Sequence, residues 1–266
     1  MCLILFAYRV HPDYPLIVAA NRDEFFERPS QAAHFWEDEN DLLAGRDLQA
    51  QGTWMGINRQ GRFAAVTNFR QGGVPLDKPS SRGDLTRNFL ISSAPTGALA
   101  SDTYLNQVAD NADHYNGFNL LTGTINSSGY RLGYLSHQGH KILDLPPGIY
   151  GLSNALLDTP WPKVQQGKSA LASLLTSRLS ADTLAERLLE PLADRQTASD
   201  ELLPSTGVGI EFERLLSSRF ISSPSYGTRT STALTISRDS QVSFLERSFN
   251  AEREVINEAD FSFQLQ

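Results

Sequence analysis

The strongest constraint on how this sequence folds is its opening. An apolar run from Cys2 to Val10 is followed by His11-Pro12-Asp13-Tyr14-Pro15, and then by a second apolar run from Leu16 to Ala20. The intervening cluster, with prolines at both Pro12 and Pro15, forms a turn. Two apolar runs joined by such a turn predict an antiparallel hairpin. If Val10 lies near Leu16, pairing partners sum to roughly 26, and Cys2 falls opposite the segment Arg22-Asp23-Glu24.

Cys2 is the sole cysteine of the chain and directly follows the initiator methionine. Removal of Met1 would place a thiol nucleophile and a free α-amine on one residue. An α-amine titrates near ~7.7–8, so it accepts a proton at neutral pH and can activate the thiol beside it. The plainer alternative is a small buried hydrophobe that starts a strand, a common role for free cysteine. A single cysteine excludes an internal disulfide and any cysteine-based zinc site.

The 266 residues can bury a real core, as one large domain or two small ones. A net charge of -7 argues against a nucleic-acid or anionic-membrane surface. Leu3-Ile4-Leu5-Phe6-Ala7 is short, lacks a basic leader and is interrupted by Arg9, so it does not read as a signal peptide. No stretch approaches the ~20 apolar residues that span a bilayer. A soluble, cytoplasmic protein without membrane insertion is expected.

Further strands are predicted at Asp41–Ala44, Thr53–Asn58 and Arg62–Asn68, and a loop from Phe69 to Ser81. Helices are expected over Arg82–Ser92 and Ser101–His114, the latter with Leu105, Val108, Ala109 and Ala112 on one face. Strands resume at Phe118–Ile125, Tyr130–Ser136 and Ile142–Leu145. Helices follow at Trp161–Leu179, Ala181–Ala193 and Phe212–Leu216, then strands at Ser231–Ile236, Val242–Glu246 and Phe261–Leu265. Helices grouped apart from strands favour antiparallel sheets with helices outside, an α+β arrangement, over a doubly wound parallel sheet.

Several side chains carry potential chemistry. Asn21-Arg22-Asp23-Glu24 closes a hydrophobic strand, and a guanidinium beside a thiol favours the thiolate. Asp23 can orient either the α-amine or Arg22. Asn68 and Asn154 each end a strand, where an amide can donate to an oxyanion; such a donor contributes roughly 3–4 kcal/mol. The common alternative is an asparagine bonded to its own backbone. Arg229 is a candidate for a substrate carboxylate or phosphate. Trp54, Trp161 and Phe69 read as core or pocket wall. His137 and His140 share a polar turn without a third metal ligand at motif spacing. No phosphate-binding loop, dinucleotide fingerprint, G-x-S-x-G or H-E-x-x-H occurs.

Met1-Cys2-Leu3-Ile4 together with Ala20-Asn21-Arg22-Asp23-Glu24 resembles the NRDE family, also called the transport and Golgi organisation 2 family. Supporting segments include Gly52-Thr53-Trp54-Met55-Gly56, Thr67-Asn68-Phe69-Arg70, Ser81-Arg82-Gly83, Gly151-Leu152-Ser153-Asn154 through Pro160-Trp161-Pro162-Lys163, and Tyr226-Gly227-Thr228-Arg229-Thr230. The family in turn is similar to N-terminal-nucleophile (Ntn) hydrolases, especially the branch of bile-salt hydrolases and penicillin V acylases. The resemblance implies one domain over 1–266 with a four-layer αββα sandwich of two antiparallel sheets flanked by helices. It implies a nucleophile at Cys2, with Arg22 and Asn154 in the positions of catalytic partners. The branch's aspartate lies three residues after its arginine, whereas Asp23 is adjacent to Arg22. A late catalytic arginine matches either Arg219 or Arg229.

Two functions are therefore expected. One is a Cys2-dependent amidohydrolase or acyl transferase acting on a small amide and needing no cofactor. Here Arg22 and Asp23 assist, Asn68 and Asn154 form the oxyanion site, and Asn21, Trp54, Arg70 and Arg229 contact substrate. A retained Met1 would block it. The other is a non-catalytic carrier of haem or acyl-CoA, with Cys2 or His114 on iron and Arg22, Arg70 or Arg229 on propionates or phosphates.

Overall fold

A computed structural model describes residues 2–72, 76–93, 99–127, 129–177 and 179–266. Met1 lies outside these described residues, and so does the question of its removal. Strands β1 (Cys2–Tyr8) and β2 (Leu16–Phe25) form the expected hairpin. Its register is two residues tighter than the spacing predicts, pairing Cys2 with Arg22 and Tyr8 with Leu16. Arg9 leaves the strand with φ 55°, and its N–H donates to the Pro15 carbonyl at 2.8 Å. Val10 therefore belongs to the turn rather than to the ladder.

β2 continues past the apolar run through Asn21-Arg22-Asp23-Glu24, as expected of the segment that closes the strand. Asn21 and Arg22 are paired on both edges, and Asp23 and Glu24 on the far edge. β11 (Tyr226–Ile236) runs along that far edge from Tyr226 opposite Phe25 to Ile236 opposite Leu16, shifting register between Thr228 and Thr230. β10 (Gly148–Leu152), β12 (Gln241–Phe249) and β13 (Val255–Gln264) complete a six-stranded sheet in the order β10-β1-β2-β11-β12-β13.

The second sheet has seven strands in chain order. They are β3 (Ser30–Phe35), β4 (Leu42–Asp47), β5 (Met55–Asn58), β6 (Arg62–Asn68), β7 (Phe118–Asn126), β8 (Gly129–Ser136) and β9 (Ile142–Asp144). All neighbouring pairs are antiparallel. β3 carries no apolar alternation that would announce it, and β11 and β13 start earlier than the apolar residues suggest.

The apolar continuity of β1 follows from burial on both faces. Ile4, Phe6 and Tyr8 point into the space between the sheets, with Val18, Ile57, Phe63 and Leu121. Leu3, Leu5 and Ala7 point the other way, against Val164 and Leu171 of α3 (Pro162–Leu174) and Leu188 of α4 (Ala181–Leu189). Successive strand residues alternate between faces, so a strand sandwiched by two layers must be apolar throughout. α1 (Arg82–Leu90) and α2 (Leu99–Asp110) cover the outer face of the seven-stranded sheet through Leu85, Phe89 and Leu105. The layers run helix, sheet, sheet, helix, the α+β sandwich expected from the sequence. α3 stops at Leu174, short of Leu179, and α5 (Ile210–Leu215) is a brief helix near the expected position.

Candidate active site

Cys2 and Arg22, opposite one another on β1 and β2, project from the same face at one end of the six-stranded sheet. Trp54, Val66 and Asn68 approach from the seven-stranded sheet, and Arg82 and Gly83 from the start of α1. Together they enclose an open cleft with about 100 Å³ of free space. The hairpin thus delivers the thiol and the guanidinium, and closure of the sandwich supplies the opposite wall.

Arg22 is only 5% exposed, and its guanidinium lies 4.5 Å from the centre of the Trp54 ring. The six-membered ring of Trp54 rests against Gly45, where any Cβ would overlap the indole. Nη1 of Arg22 has no hydrogen-bond partner among the described residues. Burial pushes the Cys2 thiol up from its ordinary range, and the charge of Asp23 adds to that, while Arg22 pulls it back down. Burial likewise lowers Arg82, with Glu24 and Cys2 opposing the shift and the charge of Arg28 adding to it.

Behind the cleft lies a second tier of buried charge. Asp23 is 1% exposed; its Oδ1 accepts from Thr228 Oγ1 at 2.7 Å, and its carbonyl accepts from the Tyr226 hydroxyl at 3.1 Å. Burial raises the Asp23 carboxyl, opposed by the charges of Lys163 and Arg70. Lys163 donates to the Leu216 carbonyl at 2.8 Å, and burial pulls it down to about 8, with Arg70 pushing the same way. Arg70 forms a buried ion pair with Glu213 at 2.7 Å and lies 4.7 Å from the Trp161 ring centre.

The two asparagines meet. Nδ2 of Asn154 donates to the Asn68 carbonyl at 3.0 Å, and the neighbouring Ser153 hydroxyl donates to the Cys2 carbonyl at 3.1 Å. Asn154 lies just beyond β10, fully buried, while Asn68 ends β6 and lines the cleft. The bond runs from the Asn154 side chain to the Asn68 main chain, so it fixes Asn154 near the thiol. A preorganised amide N–H there is the kind of donor that can receive developing negative charge.

Other expected site residues are held elsewhere. Asn21 alternates to the opposite face of β2, where its Nδ2 donates to the carbonyls of Leu192 and Arg219 at 3.0 and 2.8 Å. Arg70 is committed to Glu213. Arg229 donates to the carbonyls of Phe25 and Arg28 at 2.8 and 3.0 Å, stapling the corner between β2 and β3. Arg219 pairs with Asp194 at 2.6 Å. His114 sits exposed on the helical turn after α2. Among the described residues, no three His, Cys, Asp or Glu side chains are grouped to hold a metal ion.

Sequence reasoning gave no role to Arg82 or Lys163. Both stand at helix starts that are marked in the sequence. Ser81 and Asp84 form a capping box, which puts Arg82 on the first turn of α1 at the cleft. Trp161-Pro162 begins α3 and puts Lys163 on its first turn, facing inward.

The sequence model for the family described as Transport and Golgi organisation 2 matches residues 1–251. The Bos taurus transport and Golgi organization protein 2 homolog is 37% identical, with 93% of each chain covered. The Homo sapiens homolog is 36% identical with the same coverage. Among solved structures, a Caenorhabditis elegans N-acylethanolamine-hydrolyzing acid amidase ortholog aligns with a TM-score of 0.50. It is 11% identical, covering 88% of this chain and 92% of that one, which is a likeness of fold.

Proposed function

Because the chain belongs to the Transport and Golgi organisation 2 family, we propose that it uses an Ntn-hydrolase-like scaffold as a Cys2-dependent amidohydrolase or acyl transferase acting on a small amide. The observation that carries this reading is the pairing of Cys2 with Arg22 in a cleft lined by Asn68, whose main-chain carbonyl is tied to the Asn154 amide. With Met1 removed, the α-amine of Cys2 takes the thiol proton, and Arg22 stabilises the resulting thiolate. Sulfur adds to the amide carbon, and the oxyanion is held by Asn68 and Asn154. The C–N bond then breaks as the amine leaves with the proton from the α-ammonium group, leaving a thioester on Cys2. Water, or an acceptor amine in the transferase case, adds to that thioester and expels the thiolate.

The test combines two measurements. Mass analysis of protein purified from its own cells should show a mature chain beginning at Cys2, and Cys2→Ala should lose amide turnover. A retained methionine, or full turnover in Cys2→Ala, ends this reading. A second reading is a haem or acyl-CoA carrier on the same scaffold. It is favoured by Nη1 of Arg22, which has no hydrogen-bond partner among the described residues and suits a propionate or phosphate oxygen. Cys2 would be the iron ligand near the cleft, since His114 is exposed on the turn after α2. A haem titration with no Soret shift and no saturation removes it.

A further inference from the structure

Three cationic side chains line the cleft: Arg22, Arg28 and Arg82. Arg28 is already neutralised, its Nε 2.8 Å from Asp47 Oδ2. Arg82 donates to the Gly117 carbonyl at a long 3.3 Å and has Glu24 as its acidic neighbour. Arg22 makes no ion pair or hydrogen bond with its Nη1 among the described residues, although it is 95% buried. Buried charges in proteins are normally paired, and a buried donor without a partner calls for a missing acceptor. Asp23, Glu24 and Asp47 also line the cleft, and Glu246 lies within electrostatic reach of Arg22, so carboxylates match guanidiniums in number. What is still missing among the described residues is an acceptor for Nη1 of Arg22.

Geometry narrows what supplies it. The face of the Arg22 guanidinium is occupied by Trp54, so its N–H groups are offered edge-on. That fork suits a planar carboxylate, which accepts two parallel hydrogen bonds. The cleft is open to one side, so its about 100 Å³ of free space holds the part of the ligand beside Cys2 and Arg22 while the remainder reaches outward. Cys2 lies directly across the strand pair from Arg22, so one small molecule meets both.

We infer that the cleft takes a small amide carrying a carboxylate a few bonds from its carbonyl, the carboxylate held by Arg22 and Arg82 while the carbonyl faces Cys2. This rests on the reading of the cleft as an amide site.

The test is calorimetric titration of Cys2→Ala protein with succinamate and with succinamide, which match in size and differ by one charge. Succinamate should bind at least roughly tenfold more tightly, the fold-change of one charge-assisted hydrogen bond. The preference should shrink at about 1 M salt, where charges are screened. It should collapse in Arg82→Gln and return in part in Arg82→Lys. If circular dichroism shows that Arg82→Gln is unfolded, the salt series decides alone. Equal affinities, no binding of either compound, or a preference indifferent to both salt and Arg82→Gln overturns the inference. Ammonia release from succinamate by the wild-type protein is scored separately. Release without charge preference leaves the hydrolase reading standing and removes this one, and preference without release leaves the carboxylate site standing while removing succinamate as a substrate.

Discussion

At Lys163 the protein holds an ammonium group that is 2% exposed, with the Leu216 carbonyl as its hydrogen-bond acceptor. Burial lowers it from 10.5 to about 8. Between those values the unfolded chain binds more protons than the folded one, so stability rises with pH across that window. Below pH 8 the full penalty is present, about 3 kcal/mol. Denaturant unfolding should show wild type gaining on Lys163→Met from pH 8 to 10.5, with a constant difference below. A flat difference throughout would refute the buried charge. Lys163 was illegible in the sequence because its neighbours, Asp23 and Arg70, are remote along the chain. Cys2 and Arg22 were legible because a hairpin register is local. The same locality failed at Asn21, whose amide is turned by strand alternation toward Leu192 and Arg219.

Between elements, the clearest tie across the sandwich is Glu246. It sits on β12 of one sheet and accepts from the Ala33 N–H on β3 of the other at 2.8 Å, and from Thr232 Oγ1 at 3.0 Å. Burial raises its carboxyl from 4.5 to about 7. The folded state therefore keeps a proton that the unfolded chain gives up. The associated stability is complete below pH 4.5 and is lost as pH rises to about 7, a change of about 3 kcal/mol. Glu246→Gln keeps an oxygen for Ala33 and cannot ionise, so its stability should not follow this slope. Parallel pH dependence in the two proteins, measured by urea unfolding, would disprove it. The polar end of β2 was readable from the hairpin register, whereas β3 was not. β3 is anchored at the Ala33 N–H by the buried Glu246 carboxylate of the other sheet, a condition that does not show in local composition.

Across the whole molecule, the layered arrangement was legible in outline because helices and strands are segregated along the chain. The strand order was not, because β10 and β11, from later in the sequence, flank the opening hairpin. That insertion makes β1 and β2 internal and covers them on both faces, whereas β13 is an edge strand with Val255 and Ile256 exposed. Amide hydrogen exchange should therefore be slowest in Leu3–Ala7 and Ile17–Ala19, at rates set by global unfolding, and much faster in the first half of β13. Similar protection in both places would contradict this order. The Arg22–Trp54 stack carries a consequence of another kind. Each of the three tryptophans has a guanidinium over its ring: Arg46 on Trp36, Arg22 on Trp54 and Arg70 on Trp161. Only Trp54 lines the cleft with Cys2. A Trp36→Phe, Trp161→Phe protein would leave one indole whose emission reports on the cleft alone. Whatever draws the Arg22 cation away from that ring would register as a change in light, before any chemistry at the thiol begins.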